Sequence, residues 1–276
     1  MQDPRSRFER LARSPEGTVR LGEAALWVAA DEYPDLDVSA CLRALDDLGD
    51  AAAGEIASTM DVAEASAALN AFLFAREGFR GNAEEYYDPR NSFLNDVLER
   101  RLGIPITLSV VYIEVAARAG VTVRGVGLPG HFIVRVERRR AHRLVDPFHG
   151  GAALNEADCR ALMQRVHGAD TKFDPAYLRP VTTRETIIRM LANLKGIYVS
   201  QGDWPRALRT VDRMLTLAPE MLGEARDRGT IHAKLGDTRA AIRDWETYLR
   251  GAPEASDAER VRDRLRVLRQ AVAALN

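Results

Sequence analysis

The sequence predicts an α+β domain preceded by a helical segment and followed by a purely helical region. Three observations carry that reading. Helical periodicity runs to about residue 100, an almost wholly apolar stretch over residues 105–119 is succeeded by β-branched segments, and a set of residues recurs at a spacing of 34. Helices and strands arranged in blocks, rather than in alternation, are the order of an α+β architecture.

At 276 residues the chain has room for one large domain or two modest ones. Its 46% apolar content suits a folded core, and its 29% charged content suits a soluble protein. A formal net charge of −1 gives no general attraction to nucleic acid or anionic lipid. No segment approaches the roughly 18 consecutive apolar residues of a membrane span, and the opening Met1-Gln2-Asp3-Pro4 lacks the apolar region of a secretory signal. Cys41 and Cys159 lie far apart and form neither a C-x-x-C pair nor a disulfide framework. The expectation is a cytoplasmic protein with no nucleic-acid or membrane partner and no cofactor.

Residues 21–30 are rich in helix formers and end at the acidic, proline-containing 31–35. Asp37-Val38-Ser39 opens a second helix, with Leu42, Leu45 and Leu48 at helical spacing. A third is expected over 61–75 with Asp61 as N-cap. After the turn at 88–92, residues 93–102 place apolar side chains three and four apart, and Gly103 interrupts them. The run 105–119 reads as a helix buried on most sides, with Pro105 in its first turn, where a missing N–H costs nothing. Strands are expected at 121–127, 132–136 and 144–147.

Gly202-Asp203 returns as Gly236-Asp237, Ala207 as Ala241, and Pro219-Glu220 as Pro253-Glu254, each 34 residues on. That is the tetratricopeptide period, and Leu194, Tyr198 and Gly229 add to the match. Val261, Leu265, Leu268, Val272 and Leu275 share one face of a final helix that would cap the second repeat. The expected boundaries are 1–84 for a helical segment packed on the core, 85–180 for the core, and 186–276 for the repeats.

The chemistry-bearing features of the middle region are Gly103-Ile104-Pro105 at a helix start, Gly130-His131-Phe132 opening a strand, and Val145-Asp146-Pro147 ending one. Gly120 and Arg124 lie between them. In that order they resemble the transglutaminase-like relatives of papain. The segments 87–92, 103–106 and 128–132 are similar, more narrowly, to the bacterial SirB-type branch, which joins a helical segment, a transglutaminase-like core and tetratricopeptide repeats. An F-box protein of animals has a similar core. The resemblance implies a Cys-His-Asp triad in which His131 and Asp146 match two positions and the cysteine position falls on Pro105. Proline keeps the helix start and has no atom that could attack a carbonyl.

Thr107 and Ser109 are the alternative nucleophiles on that helix, Ser109 lying about 6 Å further along the axis than Pro105; a hydroxyl bonded to a helix carbonyl is the plainer role for each. Cys41 reads as a structural thiol and Cys159, in a polar segment, as incidental. Pro105, Asn91, Asn95, Glu114 and Gly130 are expected to line the cleft, although an i,i+4 pair with Arg118 is the plainer role for Glu114. His142 and His149 flank Asp146 at spacings too weak to predict a metal site. The basic residues Arg135, Arg138, Arg139, Arg140 and Arg143 read as a solvated hairpin. Three functions stay open: a non-catalytic module binding an unknown protein or peptide, an acyl-transfer hydrolase or amidase using a hydroxyl with His131 and Asp146, and a structural subunit of a larger complex.

Overall fold

The structure is a computed structural model that describes residues 4–274. It divides into two compact units, residues 14–190 and residues 191–276 together with the N-terminal residues up to Arg13. The chain passes from one to the other within a single helix. No helix among the described residues is long and apolar enough to cross a membrane.

In the first unit, α2 (Leu21–Ala30) is buried along almost its whole length. Helix α3 (Val38–Ala53) is capped by Asp37, which accepts from the Ala40 N–H at 2.9 Å. Asp61 and Glu64 close a capping box on α4 (Val62–Asn70), so the expected start holds. The helical run also ends where expected, at Arg76, but its last six residues, Ala71–Arg76, are wound as a π-helix. Insertions of this kind cluster at functional sites, and Asn70, at the junction, reaches across the fold as described below.

Helix α5 (Leu94–Arg100) stops at Arg101, whose φ of 60° is left-handed. Two short parallel strands, β1 (Arg80–Gly81) and β2 (Leu102–Gly103), then lead into α6 (Pro105–Arg118). Eleven of the fourteen α6 residues are buried, and Gly120 at φ 74° ends the run. The sheet is antiparallel in the order β3 (Thr122–Val126), β4 (Ile133–Arg138), β5 (Ala141–Asp146), β6 (Ala152–Leu154).

Two differences from the expected strands have local causes. Strand β5 starts earlier because Arg139 and Arg140 both take positive φ (49° and 68°), making a two-residue hairpin turn without the glycine that normally announces one. Strand β6 was not expected because Ala152-Ala153-Leu154 carries no β-branched signal. The basic hairpin is anchored as well as solvated: Arg138 and Arg139 donate to the Ala57 and Ser58 carbonyls at 3.0 and 2.9 Å. Helix α7 (Glu156–His167) follows, opened by an Asn155–Asp158 capping box. Cys159 on it is buried with Val126, Leu128, Ile133 and Leu144, so this thiol is a core residue and not incidental. Cys41 is only half-buried.

The second unit holds the part of α8 (Thr183–Gln201) from Leu191 onward, then α9 (Trp204–Leu217), α10 (Leu222–Lys234), α11 (Thr238–Gly251) and α12 (Ala258–Ala274). The repeated glycines, aspartates and alanines each have a physical reason. Gly202 and Gly236 take left-handed φ values of 72° and 82°. Asp203 and Asp237 then cap α9 and α11, accepting from the Arg206 and Ala240 N–H groups. Ala207 and Ala241 are fully buried, and a Cβ on Gly229 would lie 2.6 Å from Trp245, so α10 and α11 approach closely only because that position is glycine. Val261 and Leu265 of α12 pack with Trp245 and Tyr248; Leu275 lies outside the described residues.

Helix α1 (Pro4–Arg13) packs on α9 and belongs to the repeat unit, with the Arg213 guanidinium 5.3 Å from the Phe8 ring centroid. The residues expected as one N-terminal segment, 1–84, are therefore divided between the two units.

Candidate functional site

The site is built where β5 ends. Asp146 is the last residue of the strand and caps the 3-10 turn Pro147–His149, its Oδ1 accepting from the Phe148 N–H at 3.0 Å and the His149 N–H at 3.4 Å. Two left-handed glycines, Gly150 and Gly151, fold the chain back. Gly151 has no room for a side chain, because a Cβ would stand 2.3 Å from the Asn70 amide, which donates to the Gly151 carbonyl at 2.8 Å. The Asn70 Oδ1 in turn accepts from the Tyr112 hydroxyl at 3.1 Å.

His131 comes from the turn before β4. Gly130 takes φ 74°, and the His131 N–H donates to the Leu128 carbonyl at 3.1 Å. A Cβ on Gly130 would lie 2.6 Å from Val166, so its role is to shape this turn under α7. Arg189 fixes the turn from the other side, donating to the Leu128 and His131 carbonyls at 2.6 and 3.0 Å. Burial lowers the Arg189 pKa, yet the two carbonyls give the guanidinium polar partners. Nothing in its surroundings at residue 189 marked it in the sequence.

The outcome is a carboxylate held by two imidazoles. His131 Nε2 and His149 Nδ1 each lie 2.8 Å from Asp146 Oδ2. The Asp146 side chain is 1% exposed, His131 9%, and His149 50%. Burial pushes the Asp146 pKa up, but the bonds from His131 and His149 outweigh it and hold the carboxyl below its ordinary value. With Nε2 occupied by the aspartate, His131 keeps Nδ1 for any other partner. Phe148 stands edge-on to both rings, and Tyr86 stands edge-on to Phe148. Helix α6 packs against the Pro147–His149 turn.

The other expected site residues are committed elsewhere. Thr107 Oγ1 is buried between main-chain groups, bonded to the Asn91 carbonyl at 2.6 Å and accepting from the Ile104 N–H at 3.1 Å. Ser109 donates to the Pro105 carbonyl at 2.8 Å within α6. Glu114 is tied to the Gly22 N–H at 2.8 Å and to Arg118 at 2.6 Å. Asn91 is an internal strut, donating to the Glu85 carbonyl at 2.7 Å and accepting from Asn82 at 3.1 Å. Asn95 is half-buried at the first turn of α5. His142 is exposed on β5, paired in register with Glu137, and takes no part.

A small four-stranded antiparallel sheet behind a buried helix, with a histidine from the turn before β4 bonded to the aspartate that ends β5, defines a transglutaminase-like core, and the helical hairpins after it define tetratricopeptide repeats. The family model described as transglutaminase-like superfamily matches residues 39–192, and a tetratricopeptide-repeat model matches residues 194–266. A UPF0162 protein of Xylella fastidiosa (strain Temecula1) is 38% identical over 94% of this chain and 93% of its own. One of Pseudomonas aeruginosa is 32% identical over 95% of each chain. The human F-box only protein 21 is 29% identical over 54% of this chain and 25% of its own length. No solved structure matches the chain. The chain belongs to the UPF0162 family of bacterial proteins, within the transglutaminase-like superfamily.

Neither cysteine is prepared for nucleophilic chemistry. Burial first, and then the carboxylate of Asp158, pushes the Cys159 thiol up to about 11, while burial and Asp37 raise Cys41. In the native protein at pH 8, Cys159 is therefore expected to resist a thiol-exchange reagent, with Cys41 reacting slowly. Both should react at once in denaturant, and rapid native modification of Cys159 would contradict this.

Proposed function

We propose that the chain is a cytoplasmic interaction protein that no longer performs thiol acyl transfer and binds an acidic protein or peptide segment on its repeats. The observation that supports it most directly is the start of α6. Pro105 offers no heteroatom, and the Thr107 and Ser109 hydroxyls each bond a main-chain carbonyl. An activated hydroxyl must instead hand its proton to a base.

The repeats supply a surface of the right kind. A cavity of about 420 Å³ opens between α8, α10 and α12, with Val199 and Trp204 among its apolar lining. Lys195 is held by Glu224 and Asp227, and Arg226 by Asp227 and Asp257. Arg264 lines the same cavity and has no ion-pair partner among the described residues. Unbalanced positive charge beside apolar surface favours a segment that carries both carboxylates and apolar side chains.

The test uses fluorescent acidic peptides and the full chain. Arg264→Glu is expected to weaken binding by about tenfold, the loss of one close charge pair, while His131→Ala leaves it unchanged. A covalent adduct of an acylating probe at Thr107 or Ser109 that depends on His131 would overturn the reading in favour of an enzyme.

A further inference from the structure

We propose that His131, Asp146 and His149 form a three-ligand site for a divalent transition-metal ion of the zinc class, bound through His131 Nε2, Asp146 Oδ2 and His149 Nδ1. This concerns the core unit and does not depend on the peptide reading of the repeats.

The donor atoms are already assembled. All three lie within 4.8 Å of one another, and both nitrogens are 2.8 Å from the same carboxylate oxygen. Ligands around tetrahedral zinc, at metal–ligand distances near 2.1 Å, stand roughly 3.3 Å apart. An opening of about half an ångström at Oδ2 is all the carboxylate has to contribute to reach that geometry. Each neutral ring moves its proton to the opposite nitrogen and presents a lone pair to the ion.

The surroundings hold the ligands in that arrangement. Asp146 Oδ1 is occupied by the Phe148 and His149 N–H groups, which leaves Oδ2 as the single ligating oxygen. Arg189 pins the turn that carries His131. Two imidazoles and one carboxylate suit zinc and its neighbours in the first transition series and are too nitrogen-rich for calcium or magnesium. The buried carboxylate supplies the negative charge a dication needs. Because His149 is half exposed, the ion has an entry path and keeps at least one coordination position for water or an incoming ligand.

Tag-free full-length protein, stripped with chelator, would be titrated calorimetrically with Zn²⁺ and, separately, with Co²⁺, whose visible absorption reports the coordination sphere. One equivalent of each is expected to bind. His149→Ala, at a half-exposed position that leaves the fold intact, should weaken Zn²⁺ by at least about tenfold, since even outer-shell changes cost that much. The Co²⁺ spectrum should be lost in the same variant. His142→Ala, on the exposed part of β5, should bind as the parent does. Absence of saturable binding by either ion, or equal binding in the parent and His149→Ala, would overturn the proposal.

Discussion

Asp146→Ala is expected to destabilise the core unit by about 3 kcal/mol, the cost of stranding several buried donors that bond a charged acceptor. The carboxylate accepts from the Phe148 and His149 N–H groups and lies 2.8 Å from both imidazoles, with the side chain 1% exposed. Alanine leaves those donors facing a small cavity, and the losses fall short of additive because the turn can relax toward solvent on the His149 side. Asp146→Asn should cost less. Its oxygen can still serve the two main-chain N–H groups, while its amide N–H₂ meets the rings and forces each to present a lone pair. Urea denaturation followed by Trp27, the one tryptophan in residues 14–190, reads the core unit selectively once Trp204 and Trp245 are replaced by phenylalanine in both the parent and the variant. An unfolding midpoint unchanged in Asp146→Ala would mean that the carboxylate does not organise the turn.

Arg228→Met is expected to destabilise the repeat unit by about 3 kcal/mol, near the lower end of what is lost when one partner of a largely buried ion pair is removed. The guanidinium forks onto Asp244, with bonds of 2.8 and 2.7 Å, and also reaches Asp212 at 3.0 Å, linking α9, α10 and α11. The Asp244 bonds, more than any other influence, hold the Arg228 pKa above its ordinary value. Asp244 is buried, so deleting its partner leaves a carboxylate that water barely reaches. The double variant Arg228→Met/Asp244→Leu should recover most of the loss, because an apolar pair of similar volume avoids the desolvation that the ion pair must offset. Arg228→Lys should recover little, since one ammonium cannot make the fork. Trp245, which packs in this unit, supplies the fluorescence signal. A double variant as unstable as Arg228→Met would assign the loss to packing rather than to charge.

The repeats were legible because their signals are local. A glycine that takes positive φ, an aspartate that caps the next turn and an alanine that fits a close helix contact each act within a few residues. Their recurrence after 34 residues is then visible without any tertiary information. The capping boxes at Asp61 and Asn155 obey the same logic, although only Asp61 was expected. Where local pattern and tertiary demand parted, the reading failed in traceable ways. Cys159 sits among polar neighbours, yet on α7 it is, with Met163, one of the two buried positions, and it packs into the core of the sheet. The hairpin at Arg139 and Arg140 adopts left-handed backbone without glycine or asparagine, so β5 looked shorter than it is.

At the candidate site, His131 and Asp146 could be named from the order of motifs, and the structure brings them to hydrogen-bond distance. His149 could not be weighed properly, because a D-x-x-H spacing is compatible with many turn shapes. Only the turn closed by Gly150, Gly151 and the Asn70 amide brings its Nδ1 back to the same oxygen that His131 uses. Arg189 is further out of reach of any motif, since its partners lie 61 and 58 residues earlier.

The sequence by itself therefore determined the fold class, the repeats, the buried helix that begins at a proline, and the pairing of a histidine with an aspartate. Each depends on periodicity, capping or an ordered motif that the chain carries within short spans. The tertiary structure decided which hydroxyls are spent on main-chain carbonyls, which thiol is buried, and that one carboxylate serves two histidines. Those are matters of direction and distance between atoms, and they arise only when segments remote in the chain are packed together.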